Sequence, residues 1–276
     1  MWAGFRNSVS SGKKSKEWPK SFREFLALML TKRLIFTLLY DSGSFMLSRN
    51  FHLQKIGDLN WLEDNYGFSN VGYQIDELVV IDVSRQNRDT ARFCEALKQL
   101  TRDCFAPIAA GGGIKTLEHA HELLRSGADK LVVNSALHDQ PELVENLASE
   151  LGQQCIIASV DTQRINDSYR VFKHKGTAET AYSLDQFLLR CVGLPVGEIY
   201  LTSIDRDGTS NGLDFDMLKH VDHIKDLPLI IKGGIGNADH IIAGLSDNRV
   251  DAVATAHLLN FMGNGLARAR ELAISR

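Results

Sequence analysis

Three motifs of this chain occur twice, and the repetition constrains the fold more than any other feature. Ile81-Asp82 returns as Ile204-Asp205, and Gly111-Gly112-Gly113-Ile114 returns as Gly233-Gly234-Ile235-Gly236. Ala128-Asp129-Lys130-Leu131-Val132-Val133-Asn134 returns as Val250-Asp251-Ala252-Val253-Ala254-Thr255-Ala256. Each pair is displaced by about 122 residues, a near-constant offset expected of a duplicated half.

From Leu34 onward short β-branched runs alternate with amphipathic stretches. The strand candidates are Leu34–Leu39, Leu78–Val83, Pro107–Ala110, Leu131–Asn134, Cys155–Val160, Ile199–Ser203, Leu229–Lys232 and Ala252–Ala256. They are nearly continuous in apolar residues, as parallel strands covered by helices must be. Between them Thr116–Ser126, Pro141–Leu151, Leu184–Cys191 and Asp214–Ile224 read as helices. The pattern predicts an α/β fold, a (β/α)8 TIM barrel built from two half-barrel repeats. A doubly wound open sheet is the alternative, but even spacing without a break in composition favours closure.

A hydrophobic content of 44% is enough to fill such a core. A formal charge of −3 and a pI near 6.3 argue against a nucleic-acid-coating surface, and no apolar run approaches the ~20 residues of a membrane span. Cys94, Cys104, Cys155 and Cys191 are scattered without a C-x-x-C pair, so they read as small buried thiols in a reducing, cytoplasmic setting. Neither a metal nor a cofactor is expected. Residues 1–28 are basic and Ser/Gly-interrupted, and read as an extension, disordered or partly helical. Translation starting at Met29 is the favoured account of them, and residues 29–276 form the single barrel domain.

In a barrel of this kind the loops after the strands build the active site, while the strand starts form a stabilising floor. Gly112-Gly113 and Gly233-Gly234 follow the third and seventh strands, where glycine lets backbone N–H groups approach an anion. Asn134-Ser135 and Ala256-His257 end the neighbouring strands. Two anion pockets across one mouth suit a ligand phosphorylated at both ends. Asp161 ends the fifth strand, a good position for a general acid or base. Its repeat mate is Leu39, which cannot transfer a proton, so the symmetric pair is half missing. His119 and His121, two apart, fall on different helix faces and do not read as joint metal ligands, and His220 with His223, on one face of a polar stretch, read as a solvated surface.

These residues resemble the cyclase subunit of imidazole glycerol phosphate synthase. The matching segments are Leu30-Thr31-Lys32-Arg33, Asp76-Glu77-Leu78-Val79, Ala110-Gly111-Gly112-Gly113-Ile114, Gly127-Ala128-Asp129-Lys130 and Leu201-Thr202-Ser203-Ile204-Asp205-Arg206-Asp207-Gly208-Thr209. The resemblance implies a glutaminase docked at the barrel floor, ammonia passing through the bore, and a doubly phosphorylated substrate. It also implies two aspartates, on the first and fifth strands, that drive cleavage and ring closure. Carried over, Asp161 matches the fifth-strand aspartate. Gly113, Asn134 and Ser135 match one phosphate site, and Gly208, Gly234 and Ala256 match the other. Asp205 and Asp207 match acidic groups near the mouth. Arg33, Glu77, Lys130 and Glu198 match the charged ring that gates ammonia, and Asp129 matches a residue facing the glutaminase.

The departures are Leu39 for the first-strand aspartate, Leu47 for a lysine of the first loop, His257 for a small hydroxyl residue and Lys232 for a serine. A retained floor with half the cyclising chemistry lost resembles the paralogues of acetamidino sugar modification in surface-polysaccharide synthesis. There the barrel and its glutaminase feed a separate ATP-dependent sugar amidotransferase. The alternatives are an authentic cyclase of histidine biosynthesis and a non-catalytic activator of the glutaminase.

Overall fold

The computed structural model of the chain describes residues 32–85, 88–224 and 226–256, with residues 266, 270 and 271. The proposed N-terminal extension, residues 1–28, and His257 lie outside the described residues. The strands are β1 (Arg33–Asp41), β2 (Ser44–Arg49), β3 (His52–Gly57), β4 (Glu77–Asp82), β5 (Ile108–Gly111), β6 (Lys130–Val133), β7 (Ile156–Ile165), β8 (Ser168–Lys173), β9 (Ala178–Ser183), β10 (Glu198–Ser203), β11 (Leu229–Lys232) and β12 (Ala252–Thr255).

The hydrogen-bonded order β10-β11-β12-β1-β4-β5-β6-β7 is parallel throughout, and β7 pairs with β10 to close the ring. Eight parallel strands with helices between them make a (β/α)8 barrel. Side-chain alternation along each strand divides the core in two. Ile35, Val79, Ala109, Val132, Ile157, Tyr200, Ile230, Ala252 and Ala254 point into the bore, whereas Leu34, Phe36, Leu78, Val80, Leu131 and Val253 face the helices.

The repeat is visible in the hydrogen bonding. Asp129 and its mate Asp251 each precede a strand, and each accepts the backbone N–H that opens the neighbouring one, Ile108 at 2.8 Å and Leu229 at 2.8 Å. Asp76 does the same for Leu34 at 2.9 Å. Thr116 and Asn237, again mates, cap the helices Leu117–Arg125 and Ala238–Leu245 by accepting from His119 N and His240 N.

Sequence periodicity did not reveal two antiparallel hairpins in equivalent places. β1 and β7 run past the barrel layer and fold back as β2–β3 and β8–β9. The expected helix Asp214–Ile224 is instead two 3-10 segments, Phe215–His220 and Asp222–Ile224. The reason is tertiary. The Asp214 carboxylate is taken by Tyr169 Oη at 2.8 Å and Ser203 Oγ at 3.2 Å, and so does not cap a helix. All four cysteines are free, but Cys155 is only half-buried, a correction to its reading as a core thiol.

Candidate functional site

At the strand starts, four charged side chains meet in one layer. Arg33 bridges Glu77 at 2.9 Å and Glu198 at 2.5 Å, and Lys130 bridges the same two carboxylates at 3.3 Å and 2.5 Å. The ring is closed and charge-balanced, but its two acids differ. Burial pushes the Glu77 carboxyl up, Lys130 and Arg33 oppose this, and neighbouring Glu198 reinforces it. Burial also acts on Glu198, yet the hydrogen bonds and charges of Arg33 and Lys130 outweigh it and hold that acid below its ordinary value. Glu77 Oε1 is buried without a hydrogen-bond partner among the described residues.

Above the floor the bore is apolar up to a polar crossbar, where Thr37 Oγ1 and Tyr200 Oη lie 2.7 Å apart and fully buried. Thr37 and Tyr200 also line the bottom of a mouth cavity of about 740 Å³. The expected residues Gly112, Gly113, Asn134, Ser135 and Asp161 all line that cavity, and so does Leu39. Gly208, Gly233, Gly234 and Ala256 do not. Gly208 takes φ +67°, and a Cβ there would stand 2.0 Å from Ser48 O, so the β2–β3 hairpin lies directly over the second glycine region.

Asp161 is 8% exposed and accepts from Asn134 Nδ2 at 3.1 Å. Burial raises its carboxyl to about 7, against the pull of Lys232 and with the push of Asp207. Lys232, reached from β11, is itself 6% exposed. Burial alone would lower its ammonium, but Tyr200, Asp207 and Asp161 together hold it above its ordinary value. The Lys232 Nζ lies 3.8 Å from Asp207 Oδ1. Asp207 is not free for chemistry, because it accepts from Ser48 Oγ at 2.5 Å and Phe51 N at 3.2 Å. Asp205 turns away from the cavity to accept Arg164 N at 2.8 Å. Asp129 is exposed at the floor rim beyond its bond to β5.

Among the described residues no unpaired acid of the cavity lining replaces the missing partner of Asp161: Asp82 pairs with Arg88 at 2.8 Å, and Asp139 pairs with Lys173 and with His174. Leu47 sits on β2, outside the cavity. Sequence reasoning passed over Tyr200, Arg85, Arg88 and Lys175, all of which line the cavity. The run Lys173-His174-Lys175-Gly176 was the available signal, since a cationic turn in a repeat-equivalent hairpin has few roles away from the mouth. Among the described residues no cluster of three or more His, Cys, Asp or Glu could hold a metal, and no helix is long and apolar enough to cross a membrane.

The family described as histidine biosynthesis protein matches residues 70–263. A protein of Parasynechococcus marenigrum named "Putative imidazole glycerol phosphate synthase subunit hisF2" is 43% identical over 245 residues, 89% of this chain and 91% of the relative. Imidazole glycerol phosphate synthase subunit HisF of Chlorobaculum tepidum is 33% identical over 88% of this chain and 96% of its own. The HisF of Myxococcus xanthus is 34% identical over 84% of this chain and 90% of its own.

Proposed function

The chain belongs to the HisF family of histidine-biosynthesis proteins, and on that premise we propose that it is the barrel subunit of a glutamine amidotransferase complex. A HisH-like glutaminase docks at the strand-start face, where Asp129 lies at the rim, and its ammonia enters past Arg33, Glu77, Lys130 and Glu198. The nitrogen is destined for acetamidino modification of a surface-polysaccharide sugar, by way of an ATP-dependent sugar amidotransferase. One observation carries this reading: the closed floor ring is complete while Leu39 occupies the place across from Asp161.

The physical logic is simple. A balanced ring keeps solvent ions out of an apolar bore, yet its cations can shift between two carboxylates to let a small neutral molecule through. Proton transfer from a second group contributes ~10²–10⁴-fold in reactions of this type, so a mouth with one free acid is a poor cyclase. The phosphorylated ligand of the mouth is then bound without rapid turnover.

A second reading, the histidine-pathway cyclase itself, is supported by Asp161, whose carboxyl near 7 is suited to acid–base work. Reconstitution of the full chain with a glutaminase separates the two. We expect stimulated glutamine hydrolysis with little conversion of the histidine-pathway substrate, and conversion at normal rates overturns the proposal. Thr202→Trp, placed where the bore meets the cavity, is expected to suppress coupled amidation. Unchanged amidation would favour a non-catalytic activator of the glutaminase.

A further inference from the structure

Three adjacent strands bring three polar side chains to one level of the mouth. Thr202 of β10 is in register with Asp161 of β7 on one side and with Lys232 of β11 on the other. Alternation along β10 and β11 puts Thr202 and Lys232 on the same face as Tyr200 and Ile230, which point into the bore. Asp161, Thr202 and Lys232 all line the mouth cavity, one step along the strands from the crossbar of Thr37 and Tyr200.

Lys232 is the informative member. A buried ammonium ordinarily satisfies its donors with carboxylate or carbonyl oxygens. Lys232 is 6% exposed, yet its Nζ makes no hydrogen bond among the described residues, and its ion pair with Asp207 Oδ1 spans 3.8 Å. That is beyond direct hydrogen-bond reach. The other Asp207 oxygen is taken by Ser48 Oγ and Phe51 N, which anchors this carboxylate to the β2–β3 hairpin rather than to the lysine. The ammonium therefore meets the cavity with its donors unused. Against burial, Tyr200, Asp207 and Asp161 keep it protonated, so it is a poor base and does not restore the group lost at Leu39. Its chemistry is instead to stabilise negative charge that develops on an oxygen. Asp161 makes no ion pair among the described residues, and burial sets its carboxyl near 7, the property of a base.

We infer that Asp161 and Lys232 form a proton-transfer site for a hydroxyaldehyde or hydroxyketone, the open form of a small sugar, bound in the mouth cavity. The carbonyl oxygen accepts from Lys232 Nζ while the Asp161 carboxylate takes the proton from the neighbouring carbon. The C–H bond breaks, its electron pair becomes the C=C bond of an enediolate, and the C=O π pair moves onto the oxygen beside the ammonium. Return of the proton to the same carbon regenerates the compound. Return to the former carbonyl carbon, with the hydroxyl proton passing between the two oxygens, gives its isomer. Negative charge moves from Asp161 to an oxygen next to Lys232 and the net charge of the buried site is unchanged, which suits a pocket of low dielectric. One base is enough for this reaction, so Leu39 does not disable it, and it requires neither ammonia nor a glutaminase.

Hydrogen exchange of the full chain with D-glyceraldehyde, D-ribulose and D-ribulose 5-phosphate in deuterium oxide, followed by proton NMR, tests the site. We expect exchange of the hydrogen next to the carbonyl faster than in buffer for at least one of the three, slowed about a hundredfold by Asp161→Asn and about tenfold or more by Lys232→Met. The control Lys219→Ala, an exposed lysine paired with Asp216 and outside the cavity, is expected to leave the rate within twofold. Exchange no faster than in buffer for all three compounds overturns the proposal, and so does exchange that Asp161→Asn or Lys232→Met slows no more than Lys219→Ala does. Lys232→Met at pH 9 separates contact with the carbonyl from an effect through Asp161. The rate stays low when the ammonium acts on the oxygen, and full recovery overturns that role. Should the variants fail to fold, the pH profile of the unaltered chain decides. A rate that climbs to a plateau at about 7 supports the site, and one that rises in proportion to hydroxide from pH 5 to 9 refutes it.

Discussion

Replacing Asp161 with asparagine is expected to change how stability depends on pH. In the folded chain its carboxyl titrates at about 7, against an ordinary value of 3.8, with burial as the main cause. The folded state therefore binds this proton more tightly than the unfolded state does. The stabilisation is fully present below about pH 4 and is lost as pH rises to about 7. The shift spans about three units at about 1.4 kcal/mol each, so about 4 kcal/mol disappears across that window.

Asparagine preserves the shape but never ionises, so Asp161→Asn escapes the loss, while Lys232 keeps Asp207 as a partner. Equilibrium urea unfolding of both proteins at pH 5, 6, 7 and 8 isolates this group, since other titrations cancel in the difference. The variant should gain on the parent by up to about 1.4 kcal/mol per pH unit between pH 5 and 7, then by nothing further. Lys232→Met removes the nearby cation that favours the ionised acid and should move the plateau to higher pH. A difference that stays flat from pH 5 to 8 would refute the assignment of a buried, protonatable Asp161.

Lys130→Met breaks two of the four bridges at the floor and is expected to cost about 1–3 kcal/mol in urea unfolding, with Glu77→Gln recovering part of it in the double variant. Asp129→Ala and Asp251→Ala each strip the acceptor from a strand-opening N–H, so each should lose about 1–3 kcal/mol. The two losses should add, because the residues clasp different strand pairs. His138 stacks on Phe187 with ring centroids 4.0 Å apart, and burial followed by Lys173 presses its imidazole down to about 4. Its neutral form is the folded one, so this contribution is present above about pH 6.5 and is lost as pH falls through about 4. His138→Phe should flatten that part of the acid unfolding curve followed by circular dichroism.

The barrel itself was legible because its determinants are local and repeated. Apolar runs bounded by glycines recur at one offset, and each of the eight expected strands overlaps an observed one with bounds within two residues, except that β7 runs on five residues past Val160 to Ile165. The strand-start charges were legible for the same reason, since a residue just before a parallel strand can only lie on the floor. Asp161 and Leu39 followed from strand parity, which places repeat mates on one face of the sheet. What sequence could not supply was the partnership of side chains from distant loops. That Arg88 lies over Gly113, that the β2–β3 hairpin covers Gly208, and that Lys232 settles among Asp161, Asp207 and Tyr200 all depend on where closure brings strands 30 to 160 residues apart. Periodicity reports which face a side chain takes, a property of the chain's own geometry. Which charge it meets there is decided by packing, because Coulomb interactions and burial act through space rather than along the backbone.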